Sequence, residues 1–302
     1  MSLQVDSKTF IRTNISLKSY STFKIGGIAR YFAEPQTQEE LIRVLEFRRS
    51  EGLKVLIIGR GSNLLISDDG FDGLAISLRQ LESDRFSVEH QTDLIVSSGM
   101  SLFRVSALSQ EQSLSGSEFL CHIPGTVGGA VVMNAGFGRR RGRYSEIKDI
   151  LNLVTVVDLN GDYRKINSTE IQFNYRQSDI PQNVIILEAK FHLTPKDKKE
   201  VEEEIKANFA YRNEVQDLRY PSAGSTFKNP KNSTFTSGQL LDQVQMKKMR
   251  IGGAMVSERH ANFFLNVDRA SAQDILDLIS IAKKRVLDEF GIDLEPEVKY
   301  VP

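Results

Sequence analysis

The chain has 302 residues, 40% of them hydrophobic and 26% charged, values close to those of ordinary globular domains, and its length suits two or three domains of ~100–200 residues each. Lys plus Arg and Asp plus Glu balance at 39 each, so the charge lacks the basic excess by which nucleic-acid binders are recognised. The single cysteine, Cys121, excludes an internal disulfide, and with four scattered histidines it argues against a Cys/His zinc cluster.

The first ten residues lack the basic start and apolar stretch of a signal peptide. Apolar runs such as Val55–Ile58 are strand-sized, far short of the ~20 residues of a membrane span. A cytoplasmic protein without a membrane or nucleic-acid partner is therefore expected. Residues 37–50 read as a helix: Thr37 and Glu40 make a capping box, Leu41, Val44 and Leu45 an apolar stripe, and Gly52 a stop. Residues 53–58 follow as a buried strand, and 101–110 as a shorter amphipathic helix. Residues 153–158 and 163–166 flank Asn160-Gly161 as a hairpin. A strand over 184–193 and a charged surface helix over 197–212 come next. The clearest helix covers 271–290, with Ile275, Leu276, Ile279, Ala282, Val286 and Leu287 on one side and Gly291 after it. Helices and strands alternate without regular βαβ spacing, which predicts an α+β fold. Pro195 with the charges after it, and the stretch 79–84, are the natural boundaries, giving segments 1–80, 81–196 and 197–302.

Two small-residue loops stand out. Gly59-Arg60-Gly61-Ser62-Asn63 follows a strand but runs into Leu64-Leu65-Ile66 and the turn Asp68-Asp69-Gly70. That is a poor helix start, which weighs against a Rossmann fingerprint and favours a turn whose amides form an anion nest. By itself it is an even choice between such a nest and a tight loop with no ligand. The second loop is Ile123-Pro124-Gly125-Thr126-Val127-Gly128-Gly129-Ala130, leading to Asn134-Ala135-Gly136. Small residues let backbone approach a flat or phosphorylated ligand, though a tight helix–strand crossing wants them too. The two loops together favour a dinucleotide-like cofactor.

These residues, with Ser21-Thr22-Phe23-Lys24-Ile25-Gly26-Gly27, Asn174-Tyr175-Arg176-Gln177-Ser178, Ala223-Gly224-Ser225-Thr226-Phe227-Lys228-Asn229-Pro230, Ile251-Gly252-Gly253-Ala254, the run 257–266 and Leu294-Glu295-Pro296-Glu297-Val298, resemble the UDP-N-acetylenolpyruvoylglucosamine reductase family in order and spacing over about 14–300. The resemblance implies non-covalent FAD in a two-part domain of the vanillyl-alcohol-oxidase-like type, with 1–80 and 81–196 as its subdomains. It further implies a C-terminal substrate domain at 197–302, NADPH as hydride source, and reduction of UDP-N-acetylglucosamine enolpyruvate to UDP-N-acetylmuramate for peptidoglycan. The loops Gly59 to Asn63 and Ile123 to Ala130 would then hold FAD, with Arg60, Ser62, Pro124, Gly125, Thr126, Gly128 and Gly129 among the contacts. Arg176, Ser225 and Glu297 carry over as catalytic, Tyr175 and Asn229 as substrate-binding. The short interval from Arg176 to Ser225 is similar to the subgroup without an extra tyrosine-bearing loop. Three stretches depart from the family pattern: Cys121-His122, the basic run 139–143, and Gln243-Val244-Gln245-Met246.

The chemistry explains those residue types. Hydride addition to a C=C bond conjugated to a carboxylate pushes an electron pair toward that carboxylate, and a fixed guanidinium such as Arg176 can hold the resulting charge through two bonds. Ser225 would protonate the adjacent carbon, with a relay resupplying its proton. Glu297 would help as a hydrogen-bond donor, and burial beside negative charge favours its protonated form. Each has a plainer reading: a surface arginine, a turn serine, a solvated tail glutamate with Glu295 as rival. Cys121 reads as a small buried residue and His122 as a turn cap rather than a flavin contact. The 139–143 run reads as a solvated loop before a phosphate attractor. The rival functions are another FAD oxidase or dehydrogenase of the same fold, and a nucleotide-sugar-binding protein without turnover.

Overall fold

The computed structural model describes residues 11–138 and 144–302; the basic run 139–143 lies outside the described residues. The chain divides into two compact units interleaved in sequence. One takes the chain up to Ile15, Arg30–Arg60 and Asp72–Tyr211. The other takes Ser16–Ala29, Gly61–Phe71 and Arg212–Pro302.

In the first unit, α1 (Gln38–Glu51) starts where the Thr37 side chain accepts the Glu40 N–H and stops at Gly52, left-handed at φ 63°. Glu40 reaches one residue further back than a capping box requires, accepting the Gln36 N–H at 2.7 Å. Its Leu41, Val44 and Leu45 pack on Leu74 and Ile76 of the strand Phe71–Ser77. That strand runs parallel to Val55–Ile58 inside a four-stranded sheet with Ile28–Ala33 and Ile11–Ser16.

A second, antiparallel sheet has the order Tyr163–Asn167, Leu151–Asp158, Val184–His192, Asp93–Ser97, Phe86–Glu89. Its first two strands are the expected hairpin. Gly161 turns it at φ 100°, and the Asp158 carboxylate accepts the N–H groups of Asn160 and Asp162 at 2.8 and 3.0 Å. Alternate residues of the central strand serve opposite faces, as the two-residue pleat dictates. Ile185 and Leu187 join the core under α1. Ile186 and Ala189 join a second core with Leu102, Val105 and Leu108 of α2 (Leu102–Glu111) and Val127 and Val131 of α3 (Val127–Val132). The charged helix α4 (Lys198–Val215) spans the boundary at Tyr211 and Arg212.

The second unit holds α5 (Ser237–Gln243), the antiparallel strands Arg250–Ile251, Ala254–Val256 and Phe264–Asn266, and α6 (Ala272–Phe290). Leu64–Ile66 pairs in parallel with Lys299–Val301. The Ser271–Asp274 capping box and left-handed Gly291 bound α6 as its sequence predicts. Its buried ridge differs from the predicted stripe: Ile275, Leu278, Ala282 and Val286 are buried, Leu276 and Ile279 flank the core, and Leu287 is 47% exposed. The true ridge follows the i+3/i+4 rows that a packed helix presents. Antiparallel pairing beside segregated helices makes this an α+β fold. Among the described residues, no helix is long and apolar enough to cross a membrane.

Candidate active site

The loop Gly59 to Asn63 leaves its strand and enters the strand Leu64–Ile66 rather than a helix, so the Rossmann geometry is absent here. Gly61 sits at φ 63°, and a Cβ there would lie 2.0 Å from the Tyr20 carbonyl oxygen. Thr22 binds the Gly61 carbonyl through its N–H at 3.2 Å and its hydroxyl at 3.4 Å. Thr22 thereby anchors the glycine turn. Asn63 closes the turn, its side-chain amide donating to the Glu297 carbonyl at 2.9 Å. Arg60 is exposed.

The second loop is pinned along one edge. The N–H groups of Leu102, Val127 and Gly128 donate to the carbonyls of Gly125, Met100 and Ser98 at 3.2, 3.0 and 3.0 Å. Gly59 and Thr126 meet at the other edge, where a Cβ on Gly59 would lie 2.5 Å from Thr126 Oγ1. Gly129 and Pro124 are exposed, while Ile123 and Gly128 are half-buried and Ala130 is buried.

Two buried hydroxyls next to this loop, Ser97 Oγ and Ser98 Oγ, have no hydrogen-bond partner among the described residues. Buried polar atoms are normally satisfied, so a polar group entering here would remove a cost. Bare backbone, Thr126 and the two serines fit the donor set of a large phosphorylated cofactor such as FAD.

Arg176 lies in the first unit. It is the second residue of the tight turn between the paired strands Phe173–Asn174 and Gln177–Ser178, at φ 57°, a left-handed conformation that strains any residue with a Cβ. Its guanidinium donates to the Tyr144 hydroxyl at 2.6 Å and to the Gly136 carbonyl at 2.9 Å. Its Cζ stands 5.0 Å from the Tyr175 ring centroid and 5.9 Å from that of Tyr144. The turn is held from below: Asn134, fully buried at φ 41°, donates to the Asn174 carbonyl at 3.1 Å, and Ser178 donates to the Val132 carbonyl at 2.8 Å. Burial pushes the Tyr144 phenol above its ordinary range, against the pull of Arg176, so it stays neutral and can both accept and donate.

Ser225, Asn229 and Glu297 lie in the second unit. Left-handed Gly224, at φ 76°, turns the chain into Ser225. The segment 225–228 is then gripped from both sides. On one side Ser225 bridges to Phe263, and the buried Asn262 side chain accepts the Phe227 N–H at 2.9 Å and donates to its carbonyl at 2.8 Å. On the other, Phe227 bridges to Pro296 and the Glu297 N–H donates to Thr226 O at 2.8 Å. Glu297 is thereby tied to Thr226, the residue that follows Ser225. Glu297 is half-buried. Glu295, its rival, is 69% exposed and pairs with Lys228 at 2.6 Å. The Asn229 side-chain oxygen accepts the Ser237 N–H at 3.0 Å. His260 Nδ1 accepts the Asn262 N–H at 3.2 Å, and burial pushes its imidazole below its ordinary range.

Comparison with known proteins assigns these pieces. Residues 29–167 match the family model described as FAD binding domain, and 216–301 match UDP-N-acetylenolpyruvoylglucosamine reductase, C-terminal domain. A reductase of that name from Agathobacter rectalis is 40% identical over 297 residues, covering 94% of this chain and 92% of the relative. The chain belongs to the UDP-N-acetylenolpyruvoylglucosamine reductase family.

The Caldicellulosiruptor bescii reductase is 38% identical over 288 residues, 94% of this chain and 88% of its own length. The crystal structure of the Thermus caldophilus reductase superposes with a TM-score of 0.81 at 33% identity, over 97% of this chain and all of that one. This protein is thus an FAD-dependent oxidoreductase with an FAD binding domain and the family's C-terminal domain. Both glycine loops fall in the FAD binding domain and Ser225, Asn229 and Glu297 in the C-terminal domain, while Tyr175 and Arg176 lie between the two matched spans.

Two supporting side chains were not singled out from the sequence: Tyr144 lies outside the quoted motifs, and Asn262 lies unmarked within the run 257–266. His122, expected to cap a turn, packs its ring edge-on against Phe137 and Phe209 at 4.6 and 5.4 Å. Cys121 is buried as expected.

Proposed function

We propose that this protein reduces the enolpyruvyl group of UDP-N-acetylglucosamine enolpyruvate to UDP-N-acetylmuramate with NADPH, in the cytoplasm, as a step of peptidoglycan precursor synthesis. The observation that carries the reading is the backbone bond from Glu297 N–H to the carbonyl of Thr226, the residue after Ser225, within the family's C-terminal domain. Segments 1–80 and 81–196 would serve FAD and 197–302 the substrate. Gly59 to Asn63 and Ile123 to Ala130 would cradle FAD, which supplies hydride transfer from NADPH to the substrate's terminal carbon.

The chain's own residues do the rest. Arg176 would take the carboxylate charge that hydride addition creates, with Tyr175 stacked on its guanidinium and lining the same substrate. Ser225 would hand its hydroxyl proton to the carbon beside that carboxylate. Protonated Glu297 would donate a hydrogen bond to the same charged group. Asn229, its oxygen already committed to Ser237, has its amide N–H groups to offer the sugar nucleotide.

The test mixes purified yellow protein, NADPH and the enolpyruvyl UDP-sugar and follows NADPH loss. Ser225→Ala is expected to leave flavin reduction by NADPH intact and to slow reoxidation by substrate at least ~100-fold. Flavin that NADPH bleaches but the enolpyruvyl sugar never reoxidises would point to another FAD dehydrogenase. Equal slowing of both half-reactions would make Ser225 structural.

A further inference from the structure

Tyr144 belongs to none of the motifs that carry the family likeness, yet its hydroxyl stands 2.6 Å from the Arg176 guanidinium. Two groups on one short hairpin, Gly136–Gly138 paired with Tyr144–Glu146, reach that arginine. The Gly136 carbonyl takes one terminal nitrogen at 2.9 Å and the Tyr144 hydroxyl takes the other at 2.6 Å. The same hydroxyl donates onward to the Glu146 carboxylate at 3.4 Å. Glu146 is itself buried, with Lys148 at 2.9 Å.

The direction of this chain is set by chemistry. A guanidinium can only donate, so Tyr144 Oη must accept from it and turns its own hydrogen to the only charged acceptor it reaches among the described residues. Holding both terminal nitrogens of a planar fork fixes its plane as well as its position. The hairpin is shaped for this contact: a Cβ on Gly136 would lie 3.0 Å from the Tyr144 hydroxyl, and one on Gly138 would lie 2.8 Å from the Tyr144 Cα. Arg176 needs such a hold, because its left-handed backbone at φ 57° gives the side chain an unusual starting direction.

We propose that Tyr144 is a positioning residue, holding the Arg176 guanidinium in the orientation in which it receives the substrate carboxylate. The inference rests on the assignment of Arg176 given above. It predicts an effect confined to the substrate half of the reaction, since a hydroxyl acting only through Arg176 has no part in the exchange with NADPH.

Tyr144→Phe removes the oxygen and keeps the ring. Single-turnover reoxidation of the reduced holoenzyme by the enolpyruvyl UDP-sugar is expected to slow about tenfold, the scale of one hydrogen bond to a charged group. Flavin reduction by NADPH should stay within about twofold, and substrate affinity of the oxidised holoenzyme, read by calorimetry, should weaken in parallel. In an Arg176→Ala background the second substitution should add nothing, because the group it positions is gone.

Reoxidation unchanged in Tyr144→Phe but slow in Arg176→Ala would overturn this inference and leave the Arg176 assignment standing. Normal reoxidation in Arg176→Ala would overturn the assignment itself. Equal slowing of both half-reactions by Tyr144→Phe, or full additivity with Arg176→Ala, would make Tyr144 a structural support instead.

Discussion

Gly59→Ala tests whether the two glycine-rich loops form one cofactor cradle. Gly59 has no positive φ, so alanine meets no backbone strain and the effect is purely one of space. Its Cβ would lie 2.5 Å from Thr126 Oγ1, and the Thr126 Cβ and Cγ2 stand at 3.7 and 3.8 Å. Ordinary contact begins near 3.4 Å, so about 0.9 Å of relief is required (3.4 minus 2.5), all of it at one hydroxyl. Thr126 is 2% exposed and its backbone is held by the bonds of Gly125, Val127 and Gly128 to their neighbours. The side chain must therefore rotate, moving its hydroxyl away from where the cofactor would meet it, or the loop must shift.

Overpacking of this kind costs about 1–3 kcal/mol, which corresponds to FAD binding about 5- to 150-fold weaker. The assay is titration of apoprotein with FAD, followed by flavin fluorescence. Thr126→Ala alone should weaken FAD only about fivefold, the worth of one neutral hydrogen bond. The double variant should bind no worse than Thr126→Ala, since the colliding atom is gone. Wild-type affinity in Gly59→Ala, or a double variant whose losses multiply, would refute the reasoning. Gly128→Ala should be milder, because its Cβ would stand 3.1 Å from Ser98 Cβ.

Two further outcomes are expected. Glu297→Ala should depress single-turnover reoxidation by substrate far more than Glu297→Gln, which keeps a donor of similar shape, while Glu295→Ala should change it little because that carboxylate sits at the surface on Lys228. A large loss at Glu295 with normal Glu297→Ala would move the assignment by two residues. For His260, burial lowers the folded-state pKa below the unfolded value of ~6.5, so the unfolded chain binds more protons and stability falls as pH drops below ~6.5. Melting temperature should therefore decline less between about pH 7 and pH 5 in His260→Gln than in the parent, and equal declines would exclude the histidine as the cause.

The parts of the fold that local chemistry determines were legible in the sequence. Thr37, Ser101 and Ser271 mark helix starts and Gly52 and Gly291 mark stops, because unsatisfied end groups are a local problem with local solutions. The Asn160-Gly161 turn and the absence of a helix after Asn63 are of the same kind. The interleaving of the two units was not legible. Segments Ser16–Ala29 and Gly61–Phe71 join the C-terminal unit through pairings such as Leu65 with Tyr300, and nothing in the composition of either segment announces a partner more than two hundred residues away. The face of α6 was misjudged because Leu276, Ile279 and Leu287 are as apolar as the buried Leu278, and only the packed neighbours decide which ridge goes inward.

The same division runs through the candidate site. Residue type and motif could nominate Ser225 and Glu297, but strand alternation could not separate Glu297 from Glu295, since residues two apart in an extended segment share a side. Their backbone partners and their carboxylates are distinct matters here. The backbone of Glu295 accepts the Lys228 N–H, and its carboxylate follows out to the Lys228 side chain at the surface. Glu297 instead is bonded through its N–H to Thr226 and through its carbonyl to Asn63, two fixed points for a residue that is half-buried. A carboxylic acid that must remain protonated to donate a hydrogen bond needs partial shelter from water, because burial disfavours its charged form. Glu295, 69% exposed and paired with Lys228, lacks that shelter, whereas Glu297 is half-buried, so exposure separates two glutamates that strand alternation leaves equivalent.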